Sequence, residues 1–129
     1  MTNEERDLLI QDICGRLPYS VATEYNGEFY EILGYVHGKV VVAKPFSSIS
    51  MPIDIESCRP ILREIKDLCG EEKRKFDDLV RFAESNKDSH VILDFLNSIH
   101  VDYRELIPMG LARKMDEVKC PDWYGRLEN

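Results

Sequence analysis

Nothing in this sequence is long and apolar enough to enter a bilayer: its longest uninterrupted apolar run is Val40 to Ala43, against the roughly 20 residues a spanning helix needs. No membrane association is expected. The first residues, MTNEERDLL, are acidic where a secretory leader opens with positive charge, so the chain reads as soluble and unexported. Paired cysteines are missing too. Cys14, Cys58, Cys69 and Cys120 stand far apart, without the short gaps that frame zinc sites and redox motifs, and free thiols in a reducing cytosol account for them. No lysine and arginine run offsets the net charge of −7. A phosphate backbone is held by a basic face, so nucleic acid is not an expected partner, and a nucleic-acid-associated role ranks third among the readings. The glycines stand singly, and none forms a phosphate-cradling loop after a strand. No metal and no cofactor are expected.

What is present is the composition of a globular domain. Hydrophobic residues make up 43% and charged residues 32% of 129 positions, which suffices for one core and is too little for two. The expectation is a single domain over residues 1–129: a helix and a β-meander in 1–58, a helical part in 59–112 and an irregular tail in 113–129.

Thr2 and Glu5 have the spacing of a capping box and start a helix whose apolar face is Leu9, Ile10, Ile13 and Cys14, with Gly15 and Pro18 as its stop. The following stretch, YSVATEYNGEFYEILGYVHGKVVVA, holds the clearest signal. Asn26-Gly27 suits a two-residue hairpin turn, which sets Tyr25 opposite Glu28, Thr23 opposite Tyr30 and Val21 opposite Ile32. A second turn at His37-Gly38 would place Ile32 opposite Ala43, Leu33 opposite Val42 and Gly34 opposite Val41. In that register both faces are partly apolar, with Val21, Ile32 and Val41 on one side and Phe29, Leu33, Tyr35, Val40 and Val42 on the other. The sheet is then either curled into a small SH3-like barrel or covered on both sides, with Gly34 as a site for a bend or bulge. MPIDIE adds a short fourth strand in which Pro52 belongs at a strand start or an edge.

CRPILREIKDL reads as a connector with one or two helical turns at most. GEEKRKFDDLVRFAES is a helix with Phe76, Leu79, Val80 and Ala83 as its buried stripe, Glu71 placed to pair with Lys75, and a solvated charged face. HVILDFLNSI, capped by Asp88 or Ser89, is a second helix, expected to be largely buried through Val91, Ile92, Phe95, Leu96 and Ile99.

One segment, SIHVDYRELIPMGLA, gathers polar residues of every catalytic kind. Asp102 and Glu105 repeat the capping spacing and predict a short helix from Tyr103, stopped by Pro108 and Gly110. His100 would sit at the carbonyl end of the preceding helix, where imidazolium is favoured. Each polar group then has a structural task, and catalysis by His100 with Asp102, as in a small hydrolase or transferase, is the rival reading. Tyr103, Arg104, Trp123 and Tyr124 are the candidate binding residues.

The segments ICGRLPYSVATEYNGEFYEI, CRPIL and DFLNSIHVDYRELIPMGLA together resemble a family of small uncharacterised proteins from gut Bacteroidales and their phages or prophages. Its members pair an LPYGV…NG hairpin with a late FLN…HFDYRGLI…GLA segment. The likeness runs from Ile13 to Ala112, with Val101 in place of the aromatic, Glu105 in place of the glycine, and Pro108-Met109 before Gly110. It implies a mobile-element protein in a bacterial cytoplasm and carries no reaction or ligand. Taken together, the expectation is an α+β chain with an N-terminal helix, a three- to four-stranded antiparallel meander and a helical C-terminal half. Its function would be non-catalytic, either recognition of an unknown protein partner or self-association, with the exposed edge of the meander and the Trp123-Tyr124 tail as surfaces.

Overall fold

A computed structural model describes residues 1–45 and 47–118. It has the expected mixed α+β architecture, with an N-terminal helix, a four-stranded antiparallel sheet and helices after it. Trp123 and Tyr124 lie outside the described residues.

Helix α1 (Asn3–Arg16) opens on the capping box: Thr2 Oγ1 accepts from the Glu5 N–H at 3.1 Å, and Glu5 Oε1 accepts from the Thr2 N–H at 2.8 Å. A side-chain cap of this kind stabilises a helix end by about 1 kcal/mol. The buried stripe is Leu9, Asp12, Ile13 and Arg16, whereas Cys14 is exposed. The expected face was therefore turned too far toward Cys14, because an acid and a base occupy two of the core-facing positions.

Strands β1 (Ala22–Tyr25), β2 (Glu28–Val36), β3 (Lys39–Ala43) and β4 (Ser50–Asp54) follow as a meander in sequential order. Positive φ angles at Asn26 and Gly27 (52° and 79°) and at His37 and Gly38 (51° and 81°) form the two tight turns. The first hairpin has the expected register, including Thr23 opposite Tyr30, and the Ile32 N–H donates to the Val21 carbonyl at 2.9 Å. In the second hairpin Gly34 faces Val41 as expected, but Ile32 faces Val42 rather than Ala43, and Leu33 is the extra residue of a bulge. That one residue resolves the two apolar faces. The bulge brings Ile32 onto the side of Val40 and Val42, and these bury together with Ile53, while Leu33 is left about half exposed. Pro52 sits in β4 opposite Val41, on an edge strand that can lose an N–H. With β1 and β4 as its edges, the meander among the described residues is an open sheet and not a closed barrel.

The connector expected after Cys58 is instead a strand. β5 (Ile61–Glu64) pairs in parallel with two-residue strands β6 (Val101–Asp102) and β7 (Arg113–Lys114), in the order β6-β5-β7. Ile61 and Leu62 are both fully buried. Consecutive buried residues are what a strand covered on both sides shows, and in so short a run they mimic helical spacing. Thr23 joins the two sheets: its Oγ1 accepts from the Arg59 N–H at 3.2 Å, and it forms a bridge with Pro60.

Helices α2 (Gly70–Asn86) and α3 (His90–Ser98) form the helical layer. Asp88 supplies the cap of α3, accepting from the His90 N–H at 3.1 Å. In α2 the Lys75 ammonium lies 5.3 Å from the Phe95 ring centre, and Lys73 pairs with Asp77 at 2.7 Å, in place of the expected Glu71–Lys75 pair. The larger core collects Leu9, Ile13, Val21, Ile32, Val40, Val42, Ile61, Leu62, Leu106 and their neighbours; a smaller one holds Leu68, Leu96, Ile99 and Val101. Contrary to expectation, α3 is not largely buried: Val91, Ile92 and Phe95 are only partly covered, as are Phe76, Leu79 and Val80 of α2. Among the described residues no helix is long and apolar enough to cross a membrane.

Candidate functional site

Two features stand out, a charged cluster where the chain after α3 meets α1 and an apolar groove on the helical layer. The cluster is built on the α1 stripe. Asp12 and Arg16, four residues apart and both fully buried, form a two-bond pair: Arg16 Nε donates to Asp12 Oδ2 at 2.8 Å and Nη2 to Oδ1 at 3.1 Å. Arg16 Nη2 also donates to the Val101 carbonyl at 2.7 Å, and Arg104 Nη1 donates to Asp12 Oδ1 at 2.7 Å. One carboxylate thus holds two guanidinium groups, and both flank Tyr103, whose ring centre lies 5.1 Å from Arg16 Cζ and 4.6 Å from Arg104 Cζ. The Tyr103 hydroxyl donates to Asn97 Oδ1 at 3.0 Å and accepts from Arg104 Nη1 at 2.9 Å. Tyr103 and Arg104, read from sequence as binding residues, are here fastened to the chain's own interior.

The short helix predicted from Tyr103 is absent. Asp102 ends β6, and its carboxylate accepts the backbone N–H groups of Arg104, Leu106 and Ile107 at 3.2, 3.0 and 2.9 Å. Its capping task is as expected, but the object is a tight loop: Glu105 adopts φ = 60°, a left-handed conformation that a helix cannot contain. His100 does follow the end of α3, with its N–H donating to the Asn97 carbonyl at 3.2 Å. It does not carry the expected charge. Burial, then the nearby guanidinium groups of Arg16 and Arg63, push its pKa down to about 4, so the ring is neutral at physiological pH.

A shallow depression of about 260 Å³ lies beside the loop, lined by Glu64, Ile65, Asp102, Tyr103, Glu105 and Pro108. His100 is not among its lining residues, and both Asp102 oxygens are occupied by backbone donors. Cys58, fully buried beside Thr23, has its thiol pKa raised to about 11 by burial, which removes it as a nucleophile. Among the described residues no three His, Cys, Asp or Glu side chains gather as a metal site.

Sequence reasoning did not single out Asp12 and Arg16. The signal was available: Leu9, Asp12, Ile13 and Arg16 recur at helical spacing, and an acid and a base four apart inside an apolar stripe mark a buried pair.

The groove was missed for the opposite reason, since its residues were assigned to the interior. Leu79 of α2 and Val91 and Phe95 of α3 line an open volume of about 330 Å³, together with Tyr19, Lys75, Asp94 and Ser98. Phe82, one turn along α2 from Leu79, is about half exposed, and Leu93 of α3 is also open to solvent. Compared with protein-family models, curated proteins and solved structures, the chain finds no match.

Proposed function

We propose that this chain is a non-catalytic recognition module that binds a protein partner or itself. The single observation that carries this reading is the half-open apolar groove of the helical layer. Full burial of a leucine, valine or phenylalanine side chain stabilises by about 1.5–3 kcal/mol relative to exposure, so Leu79, Val91 and Phe95 leave part of that free energy to be gained on contact. The polar residues around position 100 support the same reading by their occupation. Asp12, Asp102, Tyr103 and Arg104 are each hydrogen-bonded within the fold.

Between the two kinds of surface, the groove is favoured over the sheet edge. A peptide adding a strand beside β4 would meet Pro52, which has no N–H to give, and Asp54 is paired with Lys39. The likeness to mobile-element proteins supports a phage or prophage origin and work in a bacterial host cytoplasm.

The test uses the purified chain and its Leu79→Glu variant. Molar mass is followed by light scattering over a wide concentration range, and any protein captured from bacterial lysate by the wild type is purified and titrated against both. Self-association, or a titratable partner, that weakens on Leu79→Glu is the expected result. A chain that stays monomeric and binds no purified partner overturns the reading.

A further inference from the structure

The tip of the first hairpin carries a reactive pair. Asn26 and Gly27 are both exposed, and a Cβ placed on Gly27 would meet no atom within 4 Å. Among the described residues the Asn26 side chain makes no hydrogen bond, and the Gly27 N–H donates to no group. The other described asparagines stand differently. Asn86 Nδ2 donates to the Phe82 carbonyl at 3.0 Å, Asn97 is buried with its Oδ1 accepting from Tyr103, and Asn3 lies in the first turn of α1. Each is followed by a residue with a side chain (Glu4, Lys87 and Ser98), whereas the nitrogen after Asn26 belongs to glycine and has no Cβ to crowd it. Asparagine is a chemically labile residue, and here its amide carbon lies one residue from an unhindered, unbonded main-chain nitrogen. We propose that Asn26-Gly27 is a self-modification site, at which the folded chain exchanges an amide for a carboxylate and, in the isoaspartyl product, loosens the first hairpin.

The Gly27 N–H gives its proton to hydroxide, and the nitrogen attacks Asn26 Cγ once the backbone has turned about the Asn26 Cα–C bond. A bond from Gly27 N to Cγ forms, the bond from Cγ to Nδ2 breaks, and ammonia leaves, closing a succinimide ring. Water then opens the ring at one of two carbonyls. Opening at the side-chain carbonyl leaves aspartate, which tolerates the left-handed φ of 52° and keeps the turn. Opening at the main-chain carbonyl leaves isoaspartate, whose backbone runs through the former side chain and is longer by a carbon. The two-residue turn fixes the pairing of Tyr25 with Glu28 and of Thr23 with Tyr30 by its length, and the added carbon breaks that match. In either product the new carboxylate stands two residues from Glu28, which accepts from Lys44 at 2.9 Å and from the Tyr30 hydroxyl at 3.1 Å. Loosening of β1 reaches Thr23, whose Oγ1 accepts from the Arg59 N–H at 3.2 Å where the two sheets join.

The full chain, held folded in warm, mildly alkaline buffer, tests this by peptide mapping with mass spectrometry and by enzymatic methylation of isoaspartate. Conversion at Asn26 runs ahead of conversion at Asn3, Asn86 and Asn97 and quickens as the pH rises. Each converted chain adds one negative charge to the net −7, so ion exchange separates it from the starting protein. In the isoaspartyl fraction, amides of β1 and of the paired part of β2 exchange faster than in the unconverted chain. Asn26→Asp carries the same charge on an unaltered main chain, and its amides there exchange as the wild type does. An Asn26 that keeps its amide in the folded chain, or that converts no faster than Asn3 or Asn86, overturns the site. Isoaspartyl protein whose exchange matches the wild type, or an Asn26→Asp chain loosened equally, overturns the effect assigned to the longer backbone. The mapping needs no variant, so it decides the site whether or not the substituted chain folds.

Discussion

The two cores of this protein are unequal, and the inequality runs opposite to the clarity of their patterns. The larger is closed from several directions by α1, the meander, β5 and the 106–112 segment, and its members are almost wholly removed from water. The smaller consists of Leu68, Leu96, Ile99 and Val101, under two helices whose other apolar residues are only partly covered. Yet α2 and α3 are the strongly amphipathic helices, while α1 carries an acid and a base on its buried face. An apolar stripe tells a helix which side to turn inward and says nothing of how much of it another element will cover. Stability should therefore reside in the sheet and α1, and the helical layer should be the part with surface left for a partner.

The largest expected effect comes from the charge pair that fastens α1 to the chain after α3. Asp12→Ala removes the carboxylate shared by Arg16 and Arg104 and leaves the Arg16 guanidinium buried without this counter-ion. Breaking a buried pair in this way costs about 3–5 kcal/mol. Urea denaturation followed by circular dichroism measures it, and a loss below about 1 kcal/mol would mean that solvent reaches the cluster.

Paired truncations sharpen the contrast directly. Leu62→Ala, at a fully buried position of the larger core, should destabilise by about 2–5 kcal/mol. Leu79→Ala, at a partly covered position on α2, should cost under about 1 kcal/mol. Native-state hydrogen exchange adds a second readout: amides of α2 and α3 should open at lower free energy than those of β2 and β3. Equal costs at the two leucines in monomeric protein would erase the distinction between the cores.

Much of the larger region was legible because its signals are local. Asn26-Gly27, His37-Gly38 and the Thr2–Glu5 box each dictate a turn or a helix start by their own chemistry, and the structure has all three. What failed was non-local. Whether Leu33 is looped out depends on which residues of β3 the core requires, and β5 is a strand only because β6 and β7, some forty and fifty residues later, supply its partners. The site followed the same division. Asp102 as a cap for following N–H groups could be read from its spacing, while its connection to α1 through Arg104 and Asp12 spans 92 positions and leaves no pattern in either segment alone.

His100 lies at the joint between the regions and gives the comparison a pH dependence. Its folded-state pKa is about 4, below the ordinary 6.5, because burial and then Arg16 and Arg63 disfavour the imidazolium. Between those values the unfolded chain binds the proton that the folded chain refuses, so this contribution is complete above pH 6.5 and is lost as the pH falls toward 4, by up to about 3 kcal/mol. The lowered carboxylates Glu5, Glu28 and Glu64 begin to lose their contributions only as the pH falls below about 4.5. Subtracting the profile of His100→Asn, which retains a residue tolerant of the left-handed φ of 61°, isolates the histidine. Parallel profiles of the two proteins between pH 6.5 and 4 would show that the ring accepts a proton in the native state.

The smallest expected effect runs in the stabilising direction. Glu105 holds φ = 60° in the loop that Asp102 closes, directly before Leu106 enters the larger core. A left-handed residue with a Cβ costs about 1–2 kcal/mol relative to one without, and glycine returns part of that gain through its freer unfolded state. The exposed Glu105 side chain makes no hydrogen bond or ion pair among the described residues, so Glu105→Gly should raise stability by about 0.5–1 kcal/mol. Because the loop joins Val101 of the smaller core to Leu106 of the larger, tightening it should slow exchange in both regions. Thermal melting and hydrogen exchange read these two outcomes, and a Glu105→Gly protein no more stable than the wild type would mean that the left-handed turn is absent in solution.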